Sequence, residues 1–186
     1  VFREEIPDYN KFKFAFDTEE VRANCVEIMD MADEITLTCD FMRKLFQSKL
    51  TNQKVTVIPN FVPYNWMGYL FDKSTIQRNY DSNKRKPRVL YTGSGAHYDV
   101  GNKNGGKDDF SHVNDIVRKT VDKYQWIFVG AYPPPLTDLV KSGKIEFYQW
   151  KSLLEYPNFI VGLNAQLMVA PLTENNFNNS KSDIKF

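Results

Sequence analysis

Arg88-Val89-Leu90-Tyr91-Thr92 leads straight into Gly93-Ser94-Gly95. An apolar run of strand-forming residues stopped by glycines reads as a buried-type strand leaving a sheet. Downstream, a long Gly/Asn/Lys/Asp loop extends to about Asp109, and Val113, Ile116, Val117, Val121 and Tyr124 then recur at helical spacing. Trp126-Ile127-Phe128-Val129 is the next strand, closed by Gly130. Pro133-Pro134-Pro135 opens a turn into a short helix, Leu136 to Val140, ended by Gly143. Ile145-Glu146-Phe147-Tyr148 is a third strand, residues 154–164 are helical in part, and Leu167-Met168-Val169-Ala170-Pro171 is a fourth. Strands separated by crossovers make an α/β protein with a Rossmann-like parallel sheet and right-handed connections.

Upstream the same alternation occurs once more. Val21, Cys25, Ile28, Met29 and Ala32 predict a helix that ends near Asp33, and Glu34-Ile35-Thr36-Leu37-Thr38 alternates like a short strand. Asp40 is placed to cap a second helix with Met42, Leu45 and Phe46 as its buried stripe. Lys54-Val55-Thr56-Val57-Ile58 is a strand stopped by Pro59-Asn60. This is a partial second α/β unit. Between the units, residues 61–86 change character: Trp66, Tyr69, Leu70 and Phe71 are apolar, but Asp72 to Lys86 is polar and ends in Lys84-Arg85-Lys86-Pro87, which predicts a linker with a solvated charged tip. The expected division is 1–60, a 61–86 linker, and 87–186.

Composition narrows the function classes. Aromatic residues make up 15% of the 186 positions, which argues against disorder. A formal net charge of +1 removes the electrostatic footprint of a nucleic-acid binder. No apolar run is long enough to span a bilayer. Cys25 and Cys39 fall in segments that read as core elements and form no CxxC pattern, so a reducing, cytoplasmic setting is expected. The chain starts at Val1 without a Met and stops at Phe186 inside an amphipathic run, which suggests a piece of a longer protein.

Ligands of open α/β sheets bind beyond the carboxyl ends of the strands. Those ends carry Gly93, Ser94, Gly95 and His97, then Gly130-Ala131-Tyr132, then Gln149 and Trp150, then Leu172 to Asn176. Glycines let backbone N–H groups approach an anion, although Gly93-Ser94-Gly95 lacks the third glycine of a dinucleotide fingerprint and also reads as a plain strand exit. Lys107 supplies a point charge for a phosphate or simply solvates the loop together with Lys103. Trp150 at a strand end suits stacking on a base or sugar, or the rim of the core. Glu174 with Asn175, Asn176, Asn178 and Asn179, next to Ser180 and Lys181, suits hydroxyl and phosphate recognition or an ordinary polar edge. No DxD pair, no His/Cys set at metal spacing, no GxSxG and no P-loop is present, so no metal or other cofactor is expected and no catalytic residue is assigned.

Taken together, Ala32-Asp33-Glu34-Ile35-Thr36 through Val57-Ile58-Pro59-Asn60 resembles the passage closing the N-terminal domain of group 1 glycosyltransferases of the GT-B fold. Val89-Leu90-Tyr91-Thr92-Gly93-Ser94 with His97 and Asp109-Phe110 resembles the opening of their C-terminal nucleotide-sugar domain. Phe128-Val129-Gly130, Met168-Val169-Ala170-Pro171-Leu172 and Asn179-Ser180-Lys181-Ser182 resemble its later landmarks, so the likeness covers most of 20–186. It implies transfer of a sugar from a nucleotide diphosphate to an acceptor. On this reading 1–60 closes the acceptor domain and 87–186 is most of the donor domain. Gly93, Ser94 and His97 would line the diphosphate, Gln149 and Trp150 the base, and Ser180 and Lys181 the sugar-phosphate. No obligatory metal is implied, because helix dipoles and basic side chains offset leaving-group charge.

Three departures stand out. Phe61 replaces the usual glycine after Ile58-Pro59-Asn60, Ser94 replaces the usual arginine, and the helix bearing the family's glutamate would fall after Phe186. A fragment this short is expected to be inactive alone, to self-associate through uncovered faces, and to leave peripheral membrane contact to its parent. The alternatives are a nucleotide-sugar epimerase of the same fold and a non-catalytic nucleotide-sugar-binding module.

Overall fold

The computed structural model describes residues 6–10, 19–50, 54–61, 86–99 and 108–181. Most of the proposed linker, 62–85, and Lys107 lie outside them. The chain divides into two compact units, residues 1–61 with 173–186, and residues 62–172.

In the first unit, α1 (Glu19–Asp30), β1 (Glu34–Leu37), α2 (Asp40–Gln47) and β2 (Lys54–Val57) follow one another. β1 and β2 pair in parallel, with Ile35 opposite Val55 and Leu37 opposite Val57. Ile58 donates one further backbone hydrogen bond to Leu37 before Pro59 ends the pairing. In α2, Phe46 is buried while Met42 and Leu45 are half-buried. Asp40 is the first helical residue rather than the cap, a position taken by Cys39 without a side-chain bond. Its carboxylate instead pairs with Arg43 one turn on, at 2.9 Å. The apolar stripe of α1 is only partly covered: Val21 and Ile28 are 37% and 68% exposed. Cys25 is exposed and Cys39 half-buried, which corrects the expectation that both are core residues.

The second unit is the four-stranded parallel sheet. Its strands are β3 (Arg88–Gly93), β4 (Gln125–Gly130), β5 (Ile145–Tyr148) and β6 (Leu167–Met168), interleaved with α3 (Asn114–Thr120), α4 (Thr137–Lys141) and α5 (Tyr156–Gly162). The strand order is β5-β4-β3-β6, and every neighbouring pair is parallel. The α/β class and the Rossmann-like parallel sheet are therefore as read from the sequence. β6 is shorter than the apolar run suggests, although Val169 still donates to Leu90 at 2.9 Å.

Side chains alternate across a pleated sheet, and the core separates accordingly. Val89, Tyr91, Trp126, Phe128 and Ile145 pack on one face with Tyr98, Phe110, Val117, Val121 and Leu136. Leu90, Ile127 and Val129 pack on the other with Leu163. In α3, Val117 and Val121 carry the packing, whereas Ile116 is 53% exposed, because residues four apart share a face and Ile116 falls off it. The first face is an aromatic cluster: Phe110 stands edge-on to Tyr91 at 4.6 Å and to Tyr98 at 5.3 Å. Each such pair contributes about 0.5–1.5 kcal/mol beyond its area burial. At the amino end of the sheet, Arg88 donates two N–H groups to Glu146, at 3.0 and 2.7 Å. Tyr148 donates to the same carboxylate, so β3 and β5 are tied together across β4.

The short helix α6 (Asn176–Asn179) belongs to the first unit.

Candidate functional site

The carboxyl end of the four-stranded sheet is built by glycines and one indole. β3 and β4 finish in register, Gly93 beside Gly130. Gly93 is buried, and a Cβ there would collide with the Tyr91 phenol. Gly130 has φ +93°, a conformation that side-chain-bearing residues rarely adopt. A Cβ on it would lie 2.7 Å from the Gly93 carbonyl oxygen and 2.7 Å from the Trp150 ring. Trp150 therefore lies against the glycine edge while remaining 55% exposed. Gln149 beside it is exposed.

Beyond Gly93 the chain makes a 3-10 turn, Gly95–His97, where the sequence suggested only loop. The Ser94 hydroxyl caps it by accepting from the Ala96 N–H at 3.2 Å. Here the serine found in place of an arginine has a local structural task. The turn delivers His97 to Asp109: Nδ1 lies 2.7 Å from Asp109 Oδ2, and the Asp109 N–H donates back to the His97 carbonyl at 3.3 Å. Neighbouring Asp108 accepts from the Asp99 and Phe110 N–H groups, both at 2.9 Å. Burial pushes the Asp108 carboxyl above its ordinary value, partly offset by those two bonds. Burial likewise pushes the Tyr98 phenol far up, so it stays neutral. The two ends of the 100–107 segment are thus joined by side-chain acceptors.

The remaining candidates sit in the first unit. Glu174 is exposed. Asn175 caps α6 by accepting from Asn178 at 2.8 Å, and Asn178 is buried, donating to the Thr173 carbonyl at 2.8 Å and lying 3.4 Å from the Tyr9 hydroxyl. Two of the amides that suggested ligand recognition are therefore engaged in holding residues 173–178. Ser180 donates to the Asn176 carbonyl at 2.7 Å, and the Lys181 ammonium sits 4.8 Å from the Phe177 ring centroid. Gly93, Ser94, Gly95, His97, Gln149 and Trp150 belong to one unit and Glu174, Ser180 and Lys181 to the other. A shallow groove on the first unit is lined by Ala23, Val26 and Met31 and rimmed by Glu19, Glu27, Asp30 and Lys49, none of them singled out from the sequence as site residues.

Sequence reasoning under-rated Gly130 and Asp109. Gly130 was visible as a strand stop, and Asp109 only as part of a resemblance. Among the described residues no group of three His, Cys, Asp or Glu side chains is arranged to hold a metal ion, and no helix is long and apolar enough to cross a membrane.

No protein-family model matches the chain, and no curated protein matches it. Among solved structures, the chain is similar to sucrose-phosphate synthase from Thermosynechococcus elongatus, with TM-score 0.54 and 14% identity. The match covers 91% of this chain and 44% of that protein, so the chain spans under half its length. The likeness is one of fold.

Proposed function

We propose that this chain is part of a GT-B glycosyltransferase and that residues 87–186 contribute the site for its nucleotide-diphosphate-sugar donor. One observation carries the reading: the carboxyl edge of a four-stranded parallel sheet gathers an open aromatic face, Trp150, against the Gly93–Gly130 edge. Binding beyond the carboxyl ends of strands is the rule for such sheets. The fold shared with a sucrose-phosphate synthase agrees with it. In this reading Trp150 stacks on the base with Gln149 beside it, and the Ser94–His97 turn faces the diphosphate. Lys107 would add positive charge. The donor is a substrate, and the chemistry needs no metal when fixed dipoles and cations meet the leaving phosphate.

The test is a titration with UDP, GDP and ADP, followed through indole fluorescence. Trp126 is buried and Trp150 is exposed, so quenching reports mainly on the exposed ring unless Trp66 contributes, which Trp66→Phe removes. Trp150→Ala is expected to weaken nucleotide binding by about tenfold, as a base–aromatic stack contributes about 1–3 kcal/mol. Absence of binding by all three nucleotides would overturn the transferase reading and the donor site with it.

A further inference from the structure

Among the described residues, His97 and Asp109 form the one pairing at this sheet edge in which a titratable ring meets a fully buried carboxylate. The Asp109 side chain has no solvent exposure, and the His97 side chain retains 14%. Burying a carboxylate is costly unless a charged or hydrogen-bonding partner meets it. The partner here is Nδ1, at 2.7 Å. An ionised carboxylate can only accept, so the shared proton resides on the ring. Nδ1–H then donates to the carboxylate, and Nε2 is left as the other functional nitrogen. Among the described residues nothing is hydrogen-bonded to Nε2.

The carboxylate is held on a rigid support. Phe110, the next residue, is fully buried in the aromatic cluster, and Asp108 before it is fixed by two backbone N–H groups. The Asp109 N–H also returns to the His97 carbonyl, so backbone and side chain both fix the ring's position. The ring edge further meets Tyr91, 6.4 Å away and nearly perpendicular. A histidine that only filled space would not require a buried charge behind it.

We propose that Asp109 is a positioning residue: its carboxylate accepts from Nδ1–H of His97 and holds the ring so that, once doubly protonated, it directs Nε2–H at the diphosphate of the bound donor. The proposal rests on the donor-site reading above. When the ring is doubly protonated, the same carboxylate offsets its charge, and Nε2–H donates a charge-assisted hydrogen bond to a phosphate oxygen.

The chain has two histidines, His97 and His112, so histidine-selective nitrogen-15 labelling gives a simple spectrum that His112→Gln assigns. Expected in the unsubstituted chain at alkaline pH is a neutral His97 protonated on Nδ1, and in Asp109→Asn a shift of the proton toward Nε2. Under acidic conditions that keep the ring doubly protonated, inorganic pyrophosphate should perturb Nε2 of His97, and its affinity should fall by about tenfold in Asp109→Asn, where the carboxylate no longer offsets the ring's charge. In a His97→Ala background the same Asp109 substitution should change that affinity by less than about twofold, because a positioning residue acts through the residue it positions. The proposal is overturned by a neutral His97 that carries its proton on Nε2, by a pyrophosphate-silent Nε2, or by equal Asp109 losses with and without the ring. The first two readouts need no Asp109 variant, so poor folding of Asp109→Asn does not protect the idea. A pyrophosphate response without any preference for nucleotide diphosphates would instead sink the transferase reading and leave the Asp109 assignment standing.

Discussion

The two parallel sheets of this chain are made from nearly the same residue types and are buried to very different extents. Ile35, Leu37, Val55 and Val57 in the first unit are all half-buried, and neither strand holds a fully buried residue. Val89, Leu90, Tyr91, Ile127, Phe128 and Val129 in the second unit are buried almost completely. Strand propensity does not separate Lys54-Val55-Thr56-Val57 from Arg88-Val89-Leu90-Tyr91. The neighbours do. β3 and β4 each have a strand on both sides and packed residues on both faces, whereas β1 and β2 have only each other among the described strands. Parallel sheets depend on cover over both faces, so an apolar side chain contributes in proportion to the company the fold gives it.

The largest expected effect tests that contrast directly. Phe128→Ala should cost about 3–5 kcal/mol, the range for emptying an aromatic site in a packed core. Val55→Ala should cost about 1 kcal/mol or less, because a half-exposed side chain forfeits only part of its transfer energy. Urea unfolding followed by circular dichroism compares the two, and similar losses would break the contrast.

A smaller effect sharpens it at the sheet's carboxyl edge. Gly130→Ala should cost about 1–3 kcal/mol, since the new methyl meets both the Gly93 carbonyl and the indole, and the emission of Trp150 should shift as the ring is displaced. Gly143 also has positive φ, +74°, but open space around it. Gly143→Ala therefore pays conformational strain alone, about 1 kcal/mol. If both variants lose the same stability, the Trp150 contact is energetically irrelevant.

The smallest effect is one of sign. Thr56 donates a hydrogen bond to Glu34, and Lys54 adds its charge, so the Glu34 carboxyl sits below its ordinary value. Stability from that group is present above the unfolded-state pKa and is lost as pH falls through the folded one. Asp108 is shifted upward, chiefly by burial, so its contribution is complete below the unfolded pKa and is lost as pH rises through the folded value. Acidification from about pH 7 to about pH 4 should then loosen β1–β2 while the turn around Asp108 holds or tightens. Amide exchange at Val57, Asp99 and Phe110, corrected for intrinsic rates, reads both. Loosening at all three sites would refute the opposition.

Much of the fold was legible in the sequence because β2, β3 and β4 are apolar runs closed by strong stops at Pro59, Gly93 and Gly130. Their parallel pairing followed from the intervening helical spacings. Burial was less legible. The spacing of Val21, Cys25 and Ile28 marks one helix face without saying what covers it, and Ile116 matched the period while falling off the packed side. At the site, Gly93, Ser94, His97 and Trp150 could be named because they follow strands. The contact of Trp150 with Gly130 and the meeting of His97 with Asp109 could not, since both depend on how separate segments return to one edge. Asn175 and Asn178 show the converse, where a composition suited to ligand recognition serves a helix cap and a buried tether.

The bond from the Asp99 N–H to Asp108 bears on how freely this protein can vary in length. Asp99 and Asp108, eight residues of sequence between them, are already joined by a 2.9 Å hydrogen bond, so the length of chain between them is decoupled from the sheet beneath. Each doubling of such a loop adds only about 0.6 kcal/mol of closure entropy. A reporter peptide or an inserted domain between Asp99 and Asp108 should therefore be accommodated with the register of β3 and β4 undisturbed.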